Sequence, residues 1–166
     1  MSTKWMSVHV AWRGVSMRKR GFEIVSSFAG EGIVLPQRKT RSSAGYDIAA
    51  AAEVTLPPGR VTLVPTGLKA YMCPDEVLIV SIRSSIALHH ALMLANGVGV
   101  IDADYYGNDE NEGHIQIAVM NLGKAPVVLA KGERIAQGVF SRYLLTDDDD
   151  AAGKRFGGFG STGRSG

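Results

Sequence analysis

Short apolar runs broken by glycine and proline recur along the chain. Gly21–Val25 is one, and Ile48–Leu56 follows, stopped by Pro57-Pro58-Gly59. Arg60–Met72 carries Val61, Leu63 and Val64 and is interrupted at Pro65-Thr66-Gly67. Glu76–Arg83 holds Val77, Leu78, Ile79, Val80 and Ile82. Val98–Asp102, Ile115–Asn121, Val127–Ala130 and Ile135–Phe140 complete the series. In the run from Ile115, apolar Ile115, Ile117 and Val119 alternate with the period of two of a half-buried strand. Short strands at a spacing of roughly 8–12 residues, with turn signals between them, predict an all-β sandwich or barrel.

Two windows depart from this pattern. Ser84–Leu94 reads as helical, with a serine N-cap and then Ile86, Leu88 and Leu92 among alanines. It is short enough to sit inside a β fold. Asp147–Asp150 is a run of like charge, which resists packing, and a glycine-rich stretch follows it. Residues 147–166 are therefore expected to form a mobile C-terminal arm, with a β domain over 21–146 and a disordered extension over 1–20. The first 22 residues contain no acid but carry Lys4, Arg13, Arg18, Lys19 and Arg20. That composition fits either an organellar transit peptide or a plain basic arm preceding a start at Met17.

Composition narrows the partners. The length suits one domain, and the formal net charge of +2 argues against a broad nucleic-acid face. Cys73 is the only cysteine, so no internal disulfide forms and a cytoplasmic location is the simple expectation. No apolar run is long enough to span a bilayer, so no membrane partner is expected.

Five stretches carry candidate chemistry, each with a plainer alternative. Ser43-Ala44-Gly45-Tyr46-Asp47-Ile48 opens a strand with an acid, which is equally a surface strand start. Arg83-Ser84-Ser85 combines a guanidinium, two hydroxyls and helix N–H groups into an anion site, or is a serine cap beside a solvated arginine. Asn96-Gly97-Val98-Gly99-Val100-Ile101-Asp102-Ala103-Asp104-Tyr105-Tyr106-Gly107 ends an apolar strand on Asp102, which shares a face with Val98 and Val100. A carboxylate there can act as a base towards water, and Gly97 and Gly99 allow close approach to the backbone. The alternative is a β-hairpin with turn acids. Gly132-Glu133-Arg134-Ile135-Ala136-Gln137 is a polar turn leading to a neutral donor. Lys154-Arg155-Phe156-Gly157-Gly158-Phe159-Gly160-Ser161-Thr162-Gly163 can cradle phosphates and stack on a base, or is a Gly/Ser tail.

Together and in this order, the five stretches resemble the five motifs of the trimeric dUTPase family, over about Leu35 to Gly163. The resemblance implies a jelly-roll β fold and a homotrimer with active sites between subunits, each closed by a C-terminal arm. It implies hydrolysis of dUTP to dUMP and pyrophosphate with Mg²⁺, the metal being held through substrate phosphates and water. By the same resemblance, Asp102 orients and activates the attacking water, and Asp47 supports the metal-water network and the phosphate site. Tyr105 packs under the deoxyribose. Asn96, helped by backbone groups around Gly99, reads the uracil edge. Arg83, Ser84, Ser85 and Gln137 hold phosphates, with Ser85 standing where many relatives carry glycine. In the arm, Phe159 and Gly160 cover the uracil while Ser161 and Thr162 close on the phosphates. Arg155, rather than Lys154, is expected at the γ-phosphate because of its bidentate fork. The longer turn Asn108-Asp109-Glu110-Asn111-Glu112 resembles dUTPases of Gram-positive bacteria and their phages, and its acids are expected to face solvent. Two alternatives remain: a dCTP deaminase-like enzyme, and a phage-type regulatory binding module on the same fold.

Overall fold

The computed structural model describes residues 18–153, Arg155 and Gly157. These residues form eleven strands, one α-helix and two short 3-10 turns. The strands are β1 (Gly21–Ile24), β2 (Tyr46–Ala49), β3 (Val54–Leu56), β4 (Val61–Pro65), β5 (Leu68–Tyr71) and β6 (Glu76–Ile82). Helix α1 (Ser84–His90) precedes β7 (Leu92–Leu94), β8 (Gly99–Asp102), β9 (Gln116–Asn121), β10 (Val127–Leu129) and β11 (Arg134–Arg142). Every ladder between these strands is antiparallel. A four-stranded sheet runs in the order β2-β11-β6-β8 and a three-stranded sheet in the order β4-β9-β7. The pairs β1-β5 and β10-β3 complete the fold.

Inward-facing residues of all four sheets meet in one cluster. Ile48, Leu78 and Ile135 come from the largest sheet, Val64, Val119 and Leu92 from the second, and Leu56, Leu68 and Leu129 from the pairs. Each is 1% exposed or less. Burying such a side chain contributes about 1.5–3 kcal/mol, against about 0–1 kcal/mol for an exposed ion pair. The core, not the surface charge, therefore holds the sandwich. Asn121, fully buried, ties a strand end to its surroundings. Its Nδ2 donates to the carbonyls of Leu56 (2.8 Å) and Ala125 (2.9 Å), and its Oδ1 accepts from the Gly123 N–H.

The structure corrects the sequence reading at three places. The helix predicted over Ser84–Leu94 stops at His90, and Leu92–Leu94 is a strand. Ala91 makes the break in the left-handed region at φ 51°, and Leu92 and Leu94 bury one face of a strand. The cap is Arg83 in an extended conformation, with no side-chain cap hydrogen bond, rather than a serine. The plainer alternative for the stretch from Asn96, a β-hairpin, is not formed as a paired hairpin: β7 pairs with β9 and β8 with β6, so the turn from Ala95 to Val98 carries the chain from one sheet to the other.

The acids of the long turn are the third case. Asp109 and Glu110 are exposed as expected. Glu112 instead reaches back to the body of the fold, where Lys69 Nζ lies 3.0 Å away and the Ser26 N–H and hydroxyl both donate to it. These bonds, the Ser26 hydroxyl first, lower its carboxyl from 4.5 to about 2. The expected extension over 1–20 lies mostly outside the described residues. At the other end β11 stops at Arg142, and 143–153 carry neither helix nor strand.

His114 makes acid stability testable. It is 7% exposed, its ring lies 5.1 Å from that of Phe28, and its Nε2 accepts the Gly67 N–H at 3.0 Å. Burial lowers its pKa from 6.5. The unfolded chain then binds more protons below 6.5, so this contribution is complete above pH 6.5 and is lost as pH falls through the depressed folded value. Glu112 contributes fully above 4.5 and loses its share as pH falls towards about 2. Urea midpoints should be flat above pH 6.5 and decline below it. His114→Gln, whose amide oxygen can accept the same bond, should abolish the decline between about pH 6.5 and 5. An equal decline in that variant would remove His114 as its source.

Candidate active site

One group of predicted residues gathers at the end of β8. Asp102 closes that strand opposite Val77 of β6 and caps the 3-10 turn Ala103–Tyr105. Alternation sends Ile101 inward against the core and leaves Val100 and Asp102 on the outer side. The turn then swings Tyr105 back into the protein, 7% exposed, and leaves Asp104 outside. A cavity of about 210 Å³ opens here, lined by Asn96, Gly99, Asp102 and Tyr105 with Leu94 and Ile117 beneath. Gly99 lies tight on the neighbouring strand, since a Cβ there would stand 3.2 Å from that of Val80. The cavity therefore pairs an apolar floor with a few polar groups at its rim, the usual make-up of a small-ligand pocket.

Arg155 closes one side of this cavity. Its Nε is 2.9 Å from Asp104 Oδ1, its Nη2 binds Asp102, and its guanidinium carbon stands 5.8 Å from the Tyr105 ring centroid. The arm cation is thus seated at the β8 end of the molecule. Tyr105 has its phenol raised above the ordinary value, chiefly by burial, so it stays a neutral donor.

A second group forms at the other end of the same sheet. Asp47 on β2 faces Gln137 on β11, and Arg83 follows the last residue of β6. Asp47 holds two arginines, with Arg83 Nε at 3.1 Å and Arg134 Nη1 at 2.7 Å. Arg83 is tied further to the Arg134 carbonyl at 3.2 Å. Gly45 leaves space for Gln137, whose Oε1 would lie 2.6 Å from any added Cβ. Lys39, Ser43, Arg83, Ser84 and Gln137 line an open hollow over these residues. Ser85 turns to an adjacent hollow with His89, His90 and Arg134. Asp47 therefore orients cations here and is not within reach of Asp102 in the same chain.

The two groups are far apart. Asp102 sits beside Val77, near the start of β6, whereas Arg83 lies six residues further on. At about 3.3 Å per residue they are about 20 Å apart. Phe159, Gly160, Ser161, Thr162 and Lys154 lie outside the described residues; of the arm expected to be mobile over 147–166, residues 147–153, Arg155 and Gly157 are described, and Arg155 is held by Asp102 and Asp104.

A family model described as dUTPase matches residues 31–163. The chain belongs to the dUTPase family. A deoxyuridine 5'-triphosphate nucleotidohydrolase of Lactococcus lactis is 51% identical over 149 residues, covering 89% of this chain and 99% of that protein. One from Desulfitobacterium hafniense is 43% identical, covering 79% and 88%. The crystal structure of a dUTPase from Streptococcus mutans superposes with a TM-score of 0.73 at 47% identity, covering 76% of this chain and 98% of that one. A dUTPase from phage phi11 of S. aureus gives a TM-score of 0.67 at 18% identity, covering 82% and 97%, a likeness of fold alone. The expected jelly-roll β class and the Gram-positive resemblance both hold.

Two contributors were given no role in the sequence reading. Arg134, inside the fourth dUTPase motif, shares Asp47 with Arg83, and Asp104, two residues past Asp102, shares Arg155. Their motif positions were the available signal; their partners lie 87 and 51 residues away in the chain. The Asp104 contact is testable. Arg155 is 17% exposed, so trypsin should cut after it slowly. Asp104→Asn should accelerate formation of the fragment ending at Arg155 several-fold, read by mass spectrometry. Unchanged kinetics would show that the ion pair does not hold the segment.

Proposed function

We propose that this chain hydrolyses dUTP to dUMP and pyrophosphate, and that each site is assembled from the β8 end of one subunit and the Arg83 end of another. The supporting observation is the separation of about 20 Å along β6 between the candidate base and the candidate phosphate cations. A triphosphate that begins at a sugar held over Tyr105 is too short to bridge it within one chain. A second copy of the same chain can bring the missing half, and rotational symmetry repeats the arrangement at each site. A homotrimer meets this requirement.

In this reading the uracil enters the cavity at the turn between the sheets, where Asn96 and backbone groups near Gly99 pair with its edge. Tyr105 lies beneath the deoxyribose. Water held by Asp102 attacks the α-phosphorus in line, and its proton passes to the carboxylate. The bond from the α-phosphorus to the bridging oxygen breaks, and pyrophosphate leaves on that oxygen. Arg83, Ser84 and Gln137 hold phosphate oxygens, with Arg83 kept in place by Asp47 and Arg134 close by. Ser85, one step further along α1, lies at the edge of this half. Positioning and charge stabilisation carry such a reaction.

Mg²⁺ fits the donor set of the site only as a cation brought by the substrate. Among the described residues, three ligand atoms come together only at Cys73, Asp75 and Glu76, where Arg20 already binds Glu76. The β8 end offers the carboxylates of Asp102 and Asp104, both bound by Arg155, and no cage. When bound to the triphosphate, the metal would offset its charge and polarise phosphate oxygens. Nucleotide must then displace Arg155 from Asp102 before that carboxylate can hold water. The displaced guanidinium, one residue after Lys154, is the group available for the γ-phosphate, with Phe159, Gly160, Ser161 and Thr162 following it in the arm. The deaminase-like and regulatory alternatives have weaker support, because relatives covering most of the chain are named as nucleotidohydrolases.

Mixing two inactive variants tests the shared site. Asp102→Asn should keep dUTP binding and lose most of kcat, and Arg83→Ala should lose phosphate binding. Dissociating and reassembling them together at equal amounts should restore up to about a quarter of wild-type turnover, the share of sites that receive both intact halves. No recovery in assembled trimers, verified by sedimentation, would place both residues in a site within one chain or outside the site. Wild-type kcat in Asp102→Asn would remove Asp102 from the role of base.

A further inference from the structure

The turn after Tyr106 grips the residue that lies beneath the sugar in the reading above. Asn108 is 8% exposed, and its Nδ2 donates to the Tyr105 carbonyl at 2.8 Å and to Asn111 Oδ1 at 2.9 Å. Its Oδ1 accepts the N–H groups of Glu110 and Asn111, both at 3.1 Å. Asn111 Oδ1 also accepts the Gly113 N–H, and Asn111 Nδ2 donates to the Tyr105 phenol at 2.9 Å. That phenol donates in turn to the His114 carbonyl at 2.9 Å. Tyr105 is therefore fixed at its backbone by Asn108 and at its far end by Asn111 and His114.

The turn is itself anchored. Glu112 binds Lys69 and Ser26, and Glu112 adopts φ 60°. Gly113 sits at φ 84°, and a Cβ there would lie 2.6 Å from the Tyr105 carbonyl oxygen. The segment packs against Tyr105 so closely that only glycine fits. A solvated spacer would need none of these contacts.

We infer that Asn111 is a positioning residue for sugar discrimination, holding the Tyr105 ring so that a 2′-hydroxyl finds no room. Exclusion by overlap is only as strict as the excluding surface is immobile. A phenol gripped by one donor and one acceptor cannot tilt or withdraw without breaking a buried hydrogen bond. A phenol released from Asn111 can yield to an extra oxygen. The long turn then sets the preference for a 2′-deoxynucleoside triphosphate over its ribonucleotide, through Tyr105 and without touching the nucleotide. This rests on the reading of Tyr105 as the sugar support.

The test compares kcat/KM for dUTP and UTP in the assembled full-length enzyme. Asn111→Ala should lower the dUTP-to-UTP ratio about tenfold, mainly because UTP turnover rises, a gain that misfolding cannot imitate. Tyr105→Phe, which removes the phenol from both contacts, should shift the ratio in the same direction. The double variant should go no further than Tyr105→Phe, because both changes remove one interaction. An unchanged ratio in Asn111→Ala, or an equal loss on both substrates, overturns the proposal. If Asn111→Ala does not fold, an unchanged ratio in Tyr105→Phe overturns it instead. If Tyr105→Ala also leaves the ratio unchanged, the sugar role of Tyr105 fails and the proposal fails with it. A shift in Tyr105→Ala but not in Asn111→Ala removes Asn111 alone.

Discussion

The antiparallel ladder of β6 with β8 and β11 fixes the positions of the two groups of candidate residues. β6 lies between those two strands, with Leu78 and Val80 buried beneath it. Its register sets Asp102 beside Val77 at one end and releases Arg83 into the start of α1 at the other. Slipping either ladder by one residue would turn the core face of the strand to solvent. The distance between the two chemical groups is thus as firmly held as the core itself. In the proposed assembly these two groups are the halves of a site that different neighbours complete.

Charge is arranged differently in the two halves. At the Arg83 end one carboxylate, Asp47, serves two arginines, leaving a surplus of positive charge suited to phosphate. At the β8 end two carboxylates, Asp102 and Asp104, share one arginine, leaving a surplus of negative charge. Arg155 on Asp102 keeps that carboxylate compensated before binding.

Much of the sandwich was legible in the sequence because period-two alternation survives wherever one strand face is buried, as at Ile117 and Val119. The end of α1 was not legible. Leu92 and Leu94 fit the apolar face of a helix or of a strand, and Ala91 gives no sign of the left-handed conformation that separates them. Five motifs in order named candidate residues that the structure gathers into two groups, but not which of them meet in one chain. That depends on the register of β6. The anchoring of Glu112 by Ser26 was hidden for a related reason, since the partner lies 86 residues earlier. Asn108 and Asn111 looked like turn residues, which they are; their hold on Tyr105 appears only once the chain folds back on itself.

The short turn before β6 is a meeting point for both ends of the described chain. Arg20 grips Glu76, and Tyr143 donates its N–H to the Asp75 carbonyl and its hydroxyl to the Pro74 carbonyl at 2.7 Å. Met72, Pro74 and Tyr143 then border the same hollow as Asp102, Asp104 and Arg155. Arg20 and Tyr143, near the two ends of the continuously described segment, therefore both brace the turn beside the hollow where nucleoside is expected to dock. A substitution that loosens Tyr143 from Pro74 and Asp75 would therefore also change the wall of the hollow that Asp102, Asp104 and Arg155 share, although it touches none of those three residues.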